Sequence, residues 1–188
     1  MSADRLRVAI ITGSVREGRF GPIVANWFSQ QAALRDDMTI DRIDLADFDH
    51  PATMAATPEV QTFTARVEAA DAFVVVTPEY NHSYPGPLKT ALDSVGKEWQ
   101  GKAVGFVSYG GMSGGLRAVE PLRVVFAELH TVTTRETVSF HQARNKFDDA
   151  GNPVQAEDVN AAATALLNQL AWWGHALRNA RAAHPYGN

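Results

Sequence analysis

Ala72-Phe73-Val74-Val75-Val76 runs straight into Thr77-Pro78-Glu79-Tyr80-Asn81-His82-Ser83-Tyr84-Pro85-Gly86-Pro87-Leu88-Lys89, and this junction decides the fold. The apolar run reads as a strand buried on both faces, the pattern of a parallel sheet. Leu88 to Val95 reads as a helix. Three prolines, a glycine and two tyrosines lie between them, so the connection is a rigid loop. It leaves the carboxyl end of a strand, where open α/β sheets build ligand crevices. Two aromatic rings beside Glu79, Asn81 and His82 suit one wall of a site for a planar ligand.

Outward from this point the chain alternates strand and helix. Leu6 to Thr12 is a β-branched run read as a strand. Ile23 opens a helix to about Leu34, with Pro22 placed in its first turn. Thr39 to Leu45 alternates like an edge strand, Asp47 to Thr53 is a loop, and Pro58 to Ala70 is a helix capped by Thr57. Ala103 to Ser108 is a further strand and Ser113 to Glu128 a helix. Thr131 to Thr134 and Thr137 to Ser139 supply a last strand. Asp158 to about Arg181 closes the chain as a long helix, with Leu166, Leu167, Leu170, Trp173 and Leu177 along one side. Repeated βα units point to a doubly wound α/β fold, a parallel sheet with helices on both faces. No internal repeat, low-complexity tract or linker interrupts it, so residues 1–188 are expected to form one domain.

Composition narrows the function classes. The net charge of −4 argues against non-specific nucleic-acid binding. No apolar run reaches the roughly 18–20 residues of a membrane span, and Met1-Ser2-Ala3-Asp4-Arg5 carries no signal-peptide apolar region. The absence of cysteine removes disulfides, thiolate nucleophiles and Cys metal sites, and fits a cytoplasmic protein.

Gly13-Ser14-Val15-Arg16-Glu17-Gly18-Arg19-Phe20-Gly21-Pro22 joins the first strand to the first helix. Backbone N–H groups at a helix start, a Ser hydroxyl and two arginines suit a terminal phosphate. The glycine spacing is not G-x-G-x-x-G and there is no Gly-Lys-Ser/Thr, which favours a monophosphate over a pyrophosphate or triphosphate. An ordinary βα turn with solvent-facing arginines fits this loop alone equally well. Ser108-Tyr109-Gly110-Gly111-Met112-Ser113-Gly114-Gly115-Leu116-Arg117 follows the next strand, and its glycines let backbone approach a flat ligand. In isolation it is also a flexible turn with a helix cap at Ser113. Three such loops at three carboxyl ends are much harder to explain as coincidence.

Gly13-Ser14-Val15-Arg16 with Arg19, Pro78-Glu79-Tyr80-Asn81 with Pro85-Gly86-Pro87-Leu88-Lys89, and Tyr109-Gly110-Gly111 with Gly114-Gly115 resemble the NAD(P)H-dependent FMN reductase family. That family includes quinone, azo-dye and chromate reductases. The likeness runs from about Arg5 to Ala127. It implies a flavodoxin-like fold, a five-stranded sheet, and a bound FMN. Ser14 and Arg16 would hold the phosphate, with Arg19, Phe20 and Gly21 completing the turn. The family often has Ser, Phe and Asn in those last places, so the donor set here would rely more on arginine. Pro78, Glu79, Tyr80 and Asn81 would border the ring and ribityl chain, and Ser108, Tyr109, Gly110 and Gly111 its other edge.

The resemblance further implies that NADPH or NADH reduces the flavin, which then reduces free flavin, a quinone, an azo compound or chromate. One pocket used in turn by donor and acceptor predicts ping-pong kinetics and needs no catalytic side chain. It implies dimers or tetramers too, with residues 88–95 and 112–127 as contact surfaces. A flavodoxin-type electron carrier and a ligand- or redox-sensing protein are the competing classes; both predict almost no NAD(P)H oxidation by the protein alone. Flavodoxins carry Thr/Ser-rich phosphate loops and acidic surfaces, unlike Arg16, Arg19 and a charge of −4. His141 and His175 lack partners at metal spacing, so no metal is assigned. His82 reads as a proton donor or a ligand of the acceptor or, at least as well, as a loop residue packed by Tyr84. Glu79 reads as a general base or, better, as bonded within its own loop. Lys89 and Asp93 are spaced to pair, Trp172 and Trp173 to face different directions, and Trp99 to reach an interface.

Overall fold

The structure, a computed structural model, describes residues 5–187; Met1 to Asp4, part of the stretch read above for a signal sequence, lie outside the described residues. Its strands are β1 (Leu6–Thr12), β2 (Met38–Asp44), β3 (Ala72–Pro78), β4 (Ala103–Tyr109) and β5 (Val132–Phe140). The α-helices are α1 (Gly21–Ala33), α2 (Pro58–Ala69), α3 (Gly86–Asp93), α4 (Leu116–Glu128) and α5 (Ala156–Ala183). The strands pair in the order β2-β1-β3-β4-β5, all parallel. This is the flavodoxin-like order, in which the chain reverses its direction of travel between β1 and β3 and leaves a crevice there.

Every residue of β3 is buried because its two faces meet separate cores. Ala72, Val74 and Val76 pack with Leu6, Val8 and Ile10 under α1 and α5, through Val24, Phe28, Leu166 and Leu170. Phe73 and Val75 pack with Ala9 and Ile11 under α2, α3 and α4, through Phe63, Leu88, Leu92, Leu122 and Phe126. Strand side chains alternate between faces, so one unbroken apolar run serves both layers.

Local signals placed two helix starts. Thr57 caps α2, its Oγ1 accepting from the N–H of Val60 at 3.3 Å, and Pro22 sits in the first turn of α1. Four details refine or correct the expectations. The α4 helix begins at Leu116, because Gly115 adopts φ +87° and a Cβ there would stand 2.7 Å from the Ser108 Cβ. The single last strand expected from residues 131–134 and 137–139 runs unbroken over 132–140, with a register shift between Val104 and Phe106 that absorbs residues 135 and 136. The α3 helix runs from Gly86 to Asp93, leaving Val95 outside it. Trp99 is fully buried against Phe63, Phe73 and Phe126, with its indole N–H on the Leu92 carbonyl at 3.3 Å, and so offers nothing to an interface. Of the Trp pair, Trp172 is exposed and Trp173 packs at the margin of the core. Lys89 and Asp93 do pair, at 2.5 Å.

Candidate functional site

Four loops leave the carboxyl ends of β1, β3, β4 and β5 and enclose one cleft of about 290 Å³. Arg16, Arg19 and Phe20 line it from the first loop, Pro78, Glu79 and Tyr80 from the second, and Tyr109, Gly110 and Gly111 from the third. Gln142, Ala143, Arg144 and Asn145 form the fourth side. The volume sits at the lower edge of ordinary small-molecule sites, roughly 300–1,000 Å³.

The β1–α1 loop is built on a buried contact with β4. The Tyr109 hydroxyl donates to Ser14 Oγ at 3.1 Å, and Ser14 is completely buried. Burial pushes the Tyr109 phenol up, so it stays protonated and keeps donating. Gly21 packs tightly against that contact: a Cβ there would stand 2.3 Å from Ser14 Oγ and 2.8 Å from the Tyr109 hydroxyl, so a larger residue would have to displace the pair. Ser14 and Gly21, both expected to touch ligand, therefore lie beneath the loop and shape it from below.

The two arginines of this loop have separated roles. Arg19 Nη1 donates to the Ser14 carbonyl and to Asp44 Oδ1, each at 2.5 Å, and Nη2 donates to Asp44 Oδ2 at 2.8 Å. This fork on the Asp44 carboxylate holds the Arg19 pKa above its ordinary value. Its charge is matched by a partner carboxylate. Arg16 is exposed over the Tyr80 ring, 5.6 Å from the centroid, with no carboxylate within ion-pair distance among the described residues. Nor does any described residue accept a hydrogen bond from the backbone N–H groups of Ser14 to Gly18. The loop thus presents one free guanidinium and a run of free amide donors, which is anion-binding chemistry.

The β3–α3 loop is stiffened by a two-residue turn. Tyr80 N–H donates to the Ser83 carbonyl at 2.8 Å and Ser83 N–H returns the bond at 3.1 Å, with Asn81 at φ +49° and His82 at φ +74°. Asn81 and His82 are the exposed tip of this turn and stand outside the cleft. Glu79 corrects an expectation. Its carboxylate accepts from Ser113 Oγ and from the Arg117 N–H at 3.3 Å, and faces Arg117 Nη1 at 3.6 Å. It reaches across to the Gly-rich loop and caps the amino end of α4, a placement the helix dipole favours. Ser113 lies two residues before the Gly115 cap position and does not cap the helix with its own hydroxyl.

Ser108 is buried, its hydroxyl donating to the Gly114 carbonyl at 2.9 Å, and so orders the Gly-rich loop from inside. Gly110 and Gly111 reach the cleft as expected. The fourth side had no motif to announce it. Gln142 N–H donates to the Gly111 carbonyl at 2.8 Å and Ala143 N–H to the Gly110 carbonyl at 3.0 Å, which fastens the one-turn 3-10 helix Ala143–Asn145 to the Gly-rich loop. Its only sequence signal was position, as the connection leaving the carboxyl end of a strand.

The cleft offers aromatic faces from Phe20, Tyr80 and Tyr109, glycine backbone at one wall and unpaired cationic and amide donors at one end. A planar molecule carrying a phosphate fits this set.

Comparison with known proteins agrees with that chemistry. The family model for NADPH-dependent FMN reductase matches residues 6–145, a span that includes all four cleft loops. The chain is 36% identical over 173 residues to a probable NADPH:quinone oxidoreductase 2 of Oryza sativa subsp. japonica, covering 83% of each. It is 31% identical over 175 residues to the NAD(P)H-dependent FMN reductase ntnL of Nectria sp, covering 83% of this chain and 86% of that one. Among solved structures it is similar in fold to the flavoenzyme NAD(P)H:(acceptor) oxidoreductase FerB from Paracoccus denitrificans, with a TM-score of 0.72 at 22% identity over 90% of this chain and 98% of that one. The chain belongs to the NADPH-dependent FMN reductase family.

Proposed function

We propose that this chain, as one flavodoxin-like domain, holds FMN in the four-loop cleft and uses NAD(P)H to reduce a small acceptor such as a quinone or free flavin. The observation that carries the proposal is the meeting in one cleft of free phosphate donors with an aromatic and glycine wall, in a chain of this family. FMN, when bound, supplies the redox chemistry, taking a hydride from the nicotinamide and passing electrons on.

The side chains have supporting tasks. Arg16 and the amides of Ser14 to Gly18 would hold the phosphate, while Ser14 and Gly21 shape that loop and Arg19 ties it to Asp44. Pro78 to Tyr80 and Tyr109 to Gly111 would border the ring, and Asn81 and Ser108 support those walls from the turn tip and from beneath. Glu79, held by Ser113 and Arg117, is a strut between two walls and takes no proton from substrate. No side chain is needed as nucleophile. With one cleft serving donor and acceptor in turn, ping-pong kinetics are expected.

The same proposal includes a cytoplasmic location and a homo-oligomer, dimer or tetramer. Leu116 and Val124 on α4 and Met112 just before it are exposed apolar residues, at 43%, 72% and 85% exposure. A second copy of the chain suits such a surface. No helix among the described residues is long and apolar enough to cross a membrane.

The test is the visible spectrum of the purified protein, before and after anaerobic addition of NADPH. Flavin absorption that bleaches promptly is the expected result. Absorption that persists with both NADPH and NADH would replace the enzyme by an electron carrier. A colourless protein that fails to take up added FMN would overturn the proposal.

A further inference from the structure

The β1–α1 loop carries two arginines, but Asp44 occupies Arg19, which leaves Arg16 as its one free guanidinium. A phosphate monoester carries about −1.5 to −2 charges near neutral pH. A single exposed arginine with backbone dipoles undercompensates it.

A second uncommitted cation stands across the cleft. Arg144 is exposed, lines the cleft, and places its guanidinium carbon 5.7 Å from the centroid of the Phe20 ring. Phe20 is the residue immediately before α1, at the end of the loop that offers the free amides. Among the described residues no carboxylate lies within ion-pair distance of Arg144, and its guanidinium makes no hydrogen bond there.

The backbone that carries Arg144 is fixed in place. The amides of Gln142 and Ala143 bond to the Gly-rich loop, and just beyond Arg144 the Phe147 ring packs on Phe20 at 5.5 Å, Trp27 at 6.4 Å and Phe140 at 4.8 Å. This aromatic cluster clamps the connection after β5 against the loop after β1. A guanidinium stacked on an aromatic face is held there without losing its in-plane N–H donors.

Resting on the flavin reading above, we propose that Arg144 is a second phosphate-binding residue of this cleft, brought by the β5–α5 connection to the phosphate of FMN. The chemistry recognised is a phosphate monoester, which FMN and the 2′-position of NADPH both carry. The Phe20 contact, next to the α1 amino end, assigns Arg144 to the flavin.

Titration of apoprotein with FMN and with riboflavin, read by flavin fluorescence, separates these possibilities because riboflavin lacks the phosphate. Arg144→Gln is expected to weaken FMN binding about tenfold or more. Riboflavin affinity should stay within about twofold, because its contacts do not involve the phosphate subsite. Arg144→Lys should recover part of the loss, and added salt should shrink the difference between wild type and Arg144→Gln. Circular dichroism of both variants controls for folding. Equal losses for FMN and riboflavin, or no loss for either, would overturn the assignment. Unchanged FMN affinity with a raised KM for NADPH but not NADH would overturn it in favour of the donor's 2′-phosphate. Wild-type protein that binds neither flavin would instead overturn the flavin reading itself.

Discussion

At the amino-terminal edge of the sheet, Asp71 accepts from the Arg7 N–H at 2.9 Å and faces Arg178 and Arg181 at 3.4 and 3.7 Å. Beside it the buried Lys102 donates to the carbonyls of Val67 and Glu68, at 2.7 and 3.0 Å, where α2 ends. At the carboxyl-terminal edge Arg16 and Arg144 reach the cleft over the Tyr80 and Phe20 rings with no ion-pair partner among the described residues, and the amides of Ser14 to Gly18 have no acceptor among them. The charges around Asp71 are therefore committed, whereas at the carboxyl end Arg16 and Arg144 stay free beside paired groups such as Arg19 and Asp44. Buried polar groups must be paired to be tolerated, whereas a binding site keeps its donors for a ligand.

The sharpest way to break this comparison is to remove a free cation. Arg16→Ala should weaken FMN binding about 100-fold, on the order of 3 kcal/mol. The melting temperature of the apoprotein should hardly move, and calorimetric titration beside thermal unfolding measures both. An apoprotein that melts much earlier would make Arg16 a structural residue like Arg181.

Lys102 tests the other edge through pH. Burial lowers its pKa from 10.5 to about 8. A depressed folded-state pKa means that the unfolded chain binds the proton more readily. Lys102 therefore contributes most stability above the unfolded value and loses it as pH falls through the folded one. Relative to Lys102→Met, wild type should gain about 2 kcal/mol between pH 8 and pH 10. Urea denaturation at the two pH values measures that gain; parallel behaviour of the two proteins would remove Lys102 from the pH response.

Glu79 sharpens the comparison, being, like Arg19 on Asp44, a committed charge at the edge that also carries the free donors. Glu79→Gln is expected to cost about 1 kcal/mol of stability, since an amide still accepts from Ser113 while its attraction to Arg117 is lost. The turnover number should stay within about threefold, because a general base would be worth about 100-fold or more. Steady-state kinetics decide, and a loss of 100-fold would make Glu79 a proton acceptor. The smallest effect on folding is expected from Val124→Glu, within about 0.5 kcal/mol. The homo-oligomer proposed above should nonetheless dissociate in light scattering; a mass unchanged from a wild-type oligomer would move the interface off α4, and a wild type of single-chain mass would overturn the proposed oligomer.

How far the sequence reaches can be judged residue by residue. The five strands, the five α-helices and the three Gly- and Pro-marked loops were legible because each rests on neighbours in the chain. Periodicity showed β3 as doubly buried, and Thr57 and Pro22 marked helix starts. Arg16, Tyr80, Tyr109, Gly110 and Gly111 reached the cleft from those loops as expected. The errors share one cause. Trp99 follows a short helix in a polar stretch, and its burial depends on Phe63, Phe73 and Phe126, which come from three other elements.

By itself, then, the sequence determined the parallel doubly wound fold and pointed to the carboxyl ends of its strands as the place of a cleft. Hydrophobic period, glycine and proline stereochemistry and helix capping are local, so adjacent residues encode them. Only the tertiary structure decided which groups remain free. Asp44 claims Arg19 from 25 residues away, Tyr109 fastens Ser14 from 95 residues away, and the turn bearing Arg144 is placed by hydrogen bonds to Gly110 and Gly111. Long-range pairing is fixed by how strands order and stack, and it separates an arginine that holds the fold from one that can hold a ligand.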